Sequence, residues 1–189
     1  FFDNQVRITT NIKGSHTNDD FTPGGVIGAA TAFAPTQPIM DDTSSYGGFF
    51  EWETQQALNN PVAELQLVTD EGTTYRSLGD IEAAVDIPFL SGLTGTVRLG
   101  YDITKAEREV FRPSFLRGEA EGASPGFVSR SNSTQLNRLF DAFLYYGTRL
   151  DGLGADVDFT AGYSYEDSNG EFPYFEAQGL SFDYLGTSG

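Results

Sequence analysis

The sequence has no cysteine, a single histidine and only two lysines, Lys13 and Lys105. Without cysteine there is neither a disulfide nor a thiolate metal site, and the redox compartment is left open. With one histidine, His16, a zinc or haem site is not expected either. We therefore predict no metal and no cofactor.

Positive charge is scarce as well. Eleven lysines and arginines stand against 27 aspartates and glutamates, which gives a formal net charge of -16. A chain with this charge repels phosphate backbones, so nucleic acid is not expected as a partner. The acid excess fits outer loops that face a salty medium or a cationic partner, or loops that are acidic only for solubility.

Long apolar runs are also missing. No stretch of about 18 consecutive apolar residues exists, so no transmembrane helix is predicted. A membrane is not excluded, because a transmembrane β-strand needs only about 9 to 11 residues and half of them can be polar. Aromatic residues make up 14% of a chain whose mean hydropathy is -0.30, as expected when apolar residues cover one face only.

Apolar and polar residues alternate with a period of two, which predicts β-strands. In the clearest strand, Thr73–Ile87, Tyr75 and Val85 share one face and Arg76 lies on the other. The same alternation predicts four more strands, near residues 5–18, 95–102, 135–146 and 157–166.

Two short turns, at Pro88–Leu93 and Arg149–Gly154, alternate with three long polar connections: residues 19–72, residues 103–130 and the residues after 166. Tight turns on one side and long loops on the other are typical of outer-membrane β-barrels. Two short helices are expected in the first connection, over residues 25–33 and 61–67. We predict an all-β, antiparallel transmembrane barrel segment of about five strands, with long extracellular loops that carry short helices. Because about five strands cannot close a barrel, the segment is part of a larger one.

Six stretches form an ordered set: Gly24–Ala30, Pro35–Ile39, Asn59–Ala63, Thr73–Gly79, Leu144–Gly147 and Thr160–Tyr165. In this order and spacing they resemble the middle of the barrel in SusC/RagA-type TonB-dependent outer-membrane transporters. The resemblance implies a plugged barrel of about 22 strands in a bacterial outer membrane, surrounded by its lipid. It also implies TonB-energised import of oligosaccharides or peptides, with a SusD-like surface lipoprotein as partner. Residues 1–189 are then one partial barrel domain, without the plug, the TonB-contacting segment and the remaining strands.

Four aromatic residues stand in the first long connection beside acidic residues: Tyr46, Phe49, Phe50 and Trp52. Aromatic faces with neighbouring acids can stack on sugar rings and accept their hydroxyl groups. These four are therefore candidates for contact with cargo or a partner. Packing within the loop is the ordinary alternative.

Six ionisable residues are predicted to face an enclosed interior: Arg76, Asp80, Glu82, Arg98, Asp102 and Asp141. They are candidates for a polar path, and mutual pairing that fills the lumen or holds a plug is the alternative. Asp167–Glu171 has oxygen ligands at alternate positions, but no bidentate glutamate follows at the EF-hand spacing, so a plain turn is predicted there.

No nucleophile motif is present and no carboxylate pair has a separation that sequence can fix, so an enzyme is not expected. The predicted function is import, with this segment supplying barrel wall and extracellular loops that contact substrate or partner. The alternative is a soluble secreted β-sandwich that binds a glycan or a protein. Apolar stripes face lipid in a barrel and lie between two sheets in a sandwich.

Overall fold

The computed structural model describes residues 5–54, 57–152, 154–184 and 186, which form one β-sheet and three short helices. The strands are β1 (Val6–Asp20), β2 (Thr69–Asp86), β3 (Leu93–Arg112), β4 (Phe127–Leu150), β5 (Ala155–Glu171) and β6 (Tyr174–Gln178). The helices are α1 (Val26–Ala32), α2 (Pro61–Leu67) and α3 (Arg117–Ala120). Across the part of the chain described, no helix is both long and apolar enough to cross a membrane.

The five long strands follow one another across the sheet in chain order. β6 pairs with β4, as β5 does, and it keeps the same register, since Thr134 pairs with Glu171 and Ser131 with Tyr174. Pro173 separates β5 from β6, because proline has no N–H for the ladder. The two strands thus occupy one position in the sheet. The prediction of an all-β, antiparallel barrel segment with about five strands is confirmed, and over the described residues the sheet is not closed.

The second long loop, predicted over residues 103–130, is largely wrong. Residues 103–112 belong to β3 and residues 127–130 to β4. Both faces of these strand ends are ionic: Arg108 pairs with Asp70 at 2.7 Å, and Arg130 pairs with Glu109 at 2.6 Å. Because neither face is apolar, the period-two signal disappears although the strands continue to pair.

The turn predicted at Asp167–Glu171 is wrong as well, because these residues belong to β5, so the third long connection begins later than predicted. Ser168 Oγ donates to Asn137 Oδ1 of β4 at 2.6 Å, and Arg138 Nη1 lies 3.7 Å from Asp167 Oδ2. In a strand, successive side chains point to opposite faces. Asp167, Asn169 and Glu171, at alternate positions, thus share one face of an extended strand, and an extended strand does not wrap around an ion as an EF-hand loop does.

The two predicted helices are present, and each begins and ends for local reasons. Pro61 takes the first position of α2, and Asn60 Oδ1 accepts a hydrogen bond from Val62 N at 3.0 Å. This caps the helix N-terminus. The first predicted turn is also present: Ile87 N donates to Leu93 O at 2.9 Å, and Gly92 supplies the positive φ of 88°. In the second turn, Leu153 lies outside the described residues.

Contacts divide the chain into two compact units. The strand unit consists of the described residues within Phe1–His16, Tyr75–Lys105 and Thr134–Glu171. The loop unit consists of those within Thr17–Thr74, Ala106–Ser133 and Phe172–Gly189. A small apolar core of Phe49, Ala63 and Leu116, with Val62, Leu67 and Val68 against it, lies in the loop unit.

Candidate functional site

The strand unit has an apolar face that nothing in the described chain covers. Leu99 and Leu144 are each about half exposed, and Phe159 is 64% exposed. All buried apolar side chains among the described residues belong to the loop unit: Val26, Phe49, Ala63 and Leu116. The described residues form one sheet and place no second sheet on this face, which does not favour the β-sandwich alternative.

The apolar face is continuous from strand to strand. A Cβ built on Gly79 of β2 would lie 3.3 Å from the Ile12 side chain of β1 and 3.0 Å from that of Tyr101 on β3. On β4 and β5, the rings of Phe140 and Tyr163 lie 6.4 Å apart. The large exposed residues of this face are Ile8, Ile12, Tyr75, Ile81, Val97, Leu99, Tyr101, Leu144, Val157, Phe159, Tyr163 and Tyr165.

The opposite face of the strand unit carries all six ionisable residues predicted to face an interior. Arg76 Nε and Nη2 donate to the two carboxylate oxygens of Asp102, at 3.0 and 2.6 Å. Arg98 Nη2 donates to Glu82 Oε2 at 2.6 Å. Each of these pairs joins β2 to β3. The two arginines are therefore held by carboxylates of the neighbouring strand, which is the pairing given above as the alternative to a polar path.

The other two predicted residues make neutral hydrogen bonds. Asp80 accepts from Asn11 Nδ2 of β1 at 3.3 Å, and Asp141 accepts from Ser164 Oγ of β5 at 2.6 Å. These bonds join β1 to β2 and β4 to β5, and the two salt bridges join β2 to β3. A cavity of about 960 Å³ opens in this unit. It is lined by Asn11, Lys13, Leu78, Gly79, Asp80, Gly100, Tyr101, Asp102, Asn137, Arg138, Leu139, Glu166, Asp167 and Ser168.

The four predicted aromatic residues lie in the loop unit and occupy different environments. Phe49 is 4% exposed and forms part of the apolar core, which favours packing over ligand contact. Phe50 and Trp52 meet edge to face with ring centroids 5.5 Å apart, and Phe33 contacts both rings. Tyr46 Oη donates to Glu121 Oε1 at 3.5 Å. Three of the four are therefore partly accessible.

Sequence reasoning missed the most buried polar side chain of the loop unit, Arg117, which is 1% exposed. Its Nε donates to Glu121 Oε1 at 3.1 Å, and its Nη1 lies 3.5 Å from Glu51 Oε2. Its terminal nitrogens also donate to three backbone carbonyl oxygens, those of Thr54 (2.6 Å), Ala57 (3.3 Å) and Leu58 (3.4 Å). The Arg117–Glu121 spacing of four residues was the one local signal, and it is weak.

Glu51 and Asn60 complete this buried network, and Glu51, Asn60 and Arg117 are named the Arg117 cluster. Both carboxylate oxygens of Glu51 accept from Asn60 N at 3.0 Å, and Asn60 Nδ2 donates to the carbonyl oxygens of Ile39 and Phe50. Burial raises the pKa of Glu51 above its ordinary value of 4.5, and the bond from Asn60 and the charge of Arg117 partly offset this. The cluster ties segments that are distant in sequence into one unit.

The loop unit also contains a cavity of about 560 Å³. Two arginines of β3, Arg108 and Arg112, line it together with Val110 between them, since alternate strand residues share a face. The other lining residues are Thr22, Pro23, Gly24, Gly25, Val26, Ala29, Leu58, Asn59, Glu64, Val68 and Asp70. The described residues contain no cluster of three or more His, Cys, Asp or Glu side chains that could hold a metal ion.

No protein-family model matches the chain, and no curated protein matches it. Among solved structures, the chain is similar to a chain of the RagAB peptide importer in the closed-closed state. The TM-score is 0.67 at 13% sequence identity, and the match covers 96% of this chain and 20% of the importer chain. This likeness shows a shared fold. The present chain spans about a fifth of the length of the protein it matches.

Proposed function

We propose that this chain is a wall segment of an outer-membrane β-barrel importer of the SusC/RagA type, and that it works in transport rather than catalysis. The observation that carries the proposal is the separation of the strand unit into an exposed apolar face and an ionic face. Such a sheet is stable where hydrocarbon covers one side and an enclosed polar interior the other. The structural likeness to a peptide importer supports the same assignment.

The open sheet supports a larger barrel. β1 and β5 are its edge strands among the described residues. In a bilayer, unpaired N–H and C=O groups at such edges cost several kcal/mol each, so further strands must pair with them. These strands belong to the same polypeptide in the proposed importer. The residues between strands of the loop unit are the extracellular connections.

Import is proposed to be energised through TonB and assisted by a SusD-like surface lipoprotein, with oligosaccharides or peptides as cargo. The partly exposed rings of Phe50 and Trp52 are proposed contacts for cargo or for the lipoprotein, because amphipathic aromatic surfaces are frequent at interfaces. The ionic face of the strand unit is proposed to line the lumen. Two of its carboxylates, Asp102 and Glu82, are paired with arginines of the neighbouring strand.

The experiment uses the full-length parent protein in its native host. We expect uptake of cargo to be lost when the parent gene or the TonB gene is deleted, and restored by a plasmid copy of the parent. The purified parent should need detergent to remain monodisperse. Uptake that persists without TonB, or a parent that is monodisperse in plain buffer, would overturn the proposal.

A further inference from the structure

We propose that the loop-unit cavity is a binding site for a carboxylate group of the cargo, with Arg112 as the residue that binds it. The inference rests on the proposed function and adds to it the chemical class of ligand and the residue that selects it. Peptide C-termini and uronic acids both present this group.

The first observation is the concentration of positive charge. The chain has 11 cationic residues in 189 and a net charge of -16, yet two arginines, Arg108 and Arg112, line one cavity of about 560 Å³. Both project from β3 with three residues between them, an even spacing of four, so both guanidinium groups lie on the same side of the strand. The strand-unit cavity has two cationic lining residues as well, but four carboxylates line it with them, against two in the loop-unit cavity.

The second observation is that the two arginines differ in how fully they are engaged. Arg108 forms a bidentate salt bridge with Asp70, with both nitrogen to oxygen distances at 2.7 Å, and its guanidinium carbon lies 4.5 Å from the centre of the Phe21 ring. This is the strong geometry for such a pair. Arg108 therefore neutralises Asp70 and has little capacity for a ligand.

Arg112 is held much more loosely. Its Nη1 lies 3.4 Å from Glu119 Oε1, near the outer limit of a hydrogen bond, and its side chain is about half exposed. Within the described residues, Nε and Nη2 make no hydrogen bond. An arginine presents five N–H donors in a planar fork that fits a carboxylate bidentately, so the fork of Arg112 is available. The Phe127 ring, 5.3 Å from its guanidinium carbon, orients the plane.

The remaining polar lining is compatible with an anionic ligand. Of the two carboxylates that line the cavity, Asp70 is paired with Arg108, and Glu64 accepts from Asn59 Nδ2 at 2.9 Å. Gly24 and Gly25 also line the cavity, and a Cβ on either would meet no heavy atom within 4 Å. Space for a ligand therefore lies beside the available guanidinium.

The test measures binding to the purified full-length parent by titration calorimetry with four probes. Tetra-alanine and trigalacturonate carry a carboxylate, whereas tetra-alanine amide and galactotriose do not. We expect Arg112→Gln to weaken binding of a carboxylate probe by about 10- to 100-fold, since hydrogen bonds to charged groups contribute that much. Binding of the two probes that lack a carboxylate should not change. A loss with tetra-alanine alone identifies a peptide ligand, and a loss with trigalacturonate alone identifies a uronic acid.

Two further variants protect the test from a folding artefact. Arg149→Gln removes a more exposed arginine that does not line the cavity, and it should bind all probes as the wild type does. Gly24→Leu fills the cavity and leaves Arg112 in place, and it should weaken the same carboxylate probe. Equal affinity of wild type and Arg112→Gln, or an equal loss for probes with and without a carboxylate, would overturn the site. TonB-dependent uptake that persists in that case would leave the proposed function standing.

Discussion

The strand unit and the loop unit place apolar and charged side chains in opposite ways. In the strand unit, apolar side chains are exposed on one face and the charged ones pair in partly exposed salt bridges. In the loop unit, apolar side chains form a small core and a charged pair, Arg117 and Glu51, is almost completely buried. This inversion is what the proposed position of the strand unit in a membrane predicts.

This difference predicts where the loss of a charged side chain lowers stability. A buried ion pair that loses one member leaves an uncompensated charge, whereas an exposed pair loses little. Conversely, replacing an exposed apolar residue of the strand unit by a charged one should lower stability only if hydrocarbon, and not water, covers that residue. The substitutions below test each side of this contrast.

The largest effect is expected for Arg117→Met. Glu51 then stays buried without a cation, and three backbone carbonyl oxygens lose their donor, so the loop unit should be destabilised by about 3–5 kcal/mol. Hydrogen exchange of peptides that cover residues 39–60 in the full-length parent measures this loss. Arg149→Met, at an exposed arginine, is the control and should exchange as the wild type does. Unchanged protection in Arg117→Met would show that the Arg117 cluster does not hold the loop unit together.

This cluster also marks the limit of what the sequence could predict. Alternation predicted the strand faces correctly because one face of each strand meets one environment, as at Tyr75 and Arg76. A local cap predicted α2 for the same reason, since Asn60 and Pro61 act on adjacent residues. Arg117 meets Glu51 only after the chain folds, and no local pattern encodes that contact. The strand ends beyond residue 103 were missed because both of their faces are ionic.

The second prediction concerns two leucines of β4 on opposite faces. Leu144 lies on the apolar face, whereas Leu139 lines the strand-unit cavity. Leu144→Arg should cost about 2–4 kcal/mol if the face meets hydrocarbon near the bilayer midplane, and Leu139→Arg should cost clearly less. Urea unfolding of the full-length parent in lipid vesicles measures both. Equal costs for the two variants would contradict a lipid-facing surface.

The third prediction is a difference in pH dependence within the loop unit. The pKa of Glu51 in the folded protein is raised, so folding favours its protonated form. The cost of burying the charged carboxylate therefore disappears as pH falls through that pKa. Wild type should therefore lose stability relative to Glu51→Gln as pH rises from about 4 to about 7. Limited proteolysis of the loop unit over this range provides the measurement.

Asp41 supplies a control of opposite sign for this measurement. Its carboxylate accepts from Thr43 Oγ1 at 2.7 Å and from Thr43 N at 3.0 Å, and these bonds lower its pKa below the ordinary value of 3.8. A lowered pKa gives stability that is present above the ordinary value and lost as pH falls through the folded one. Wild type should thus gain stability relative to Asp41→Asn as pH rises to about 5 and show little change above it, so the control extends the proteolysis below about pH 4. The same sign for both variants would mean that the proteolysis does not report these carboxylates.

The smallest effect is expected for Arg76→Gln on the strand unit. Arg76 and Asp102 form the best bidentate pair of that unit, yet the arginine side chain is 49% exposed, so solvent screens the interaction. We expect an unfolding midpoint equal to that of the wild type within error, and unchanged uptake of cargo, because Asp102 can be solvated once its partner is gone. Reduced uptake at an unchanged midpoint would instead make this pair part of the polar path. Arg76 would then serve transport, whereas Arg117 serves the stability of the loop unit.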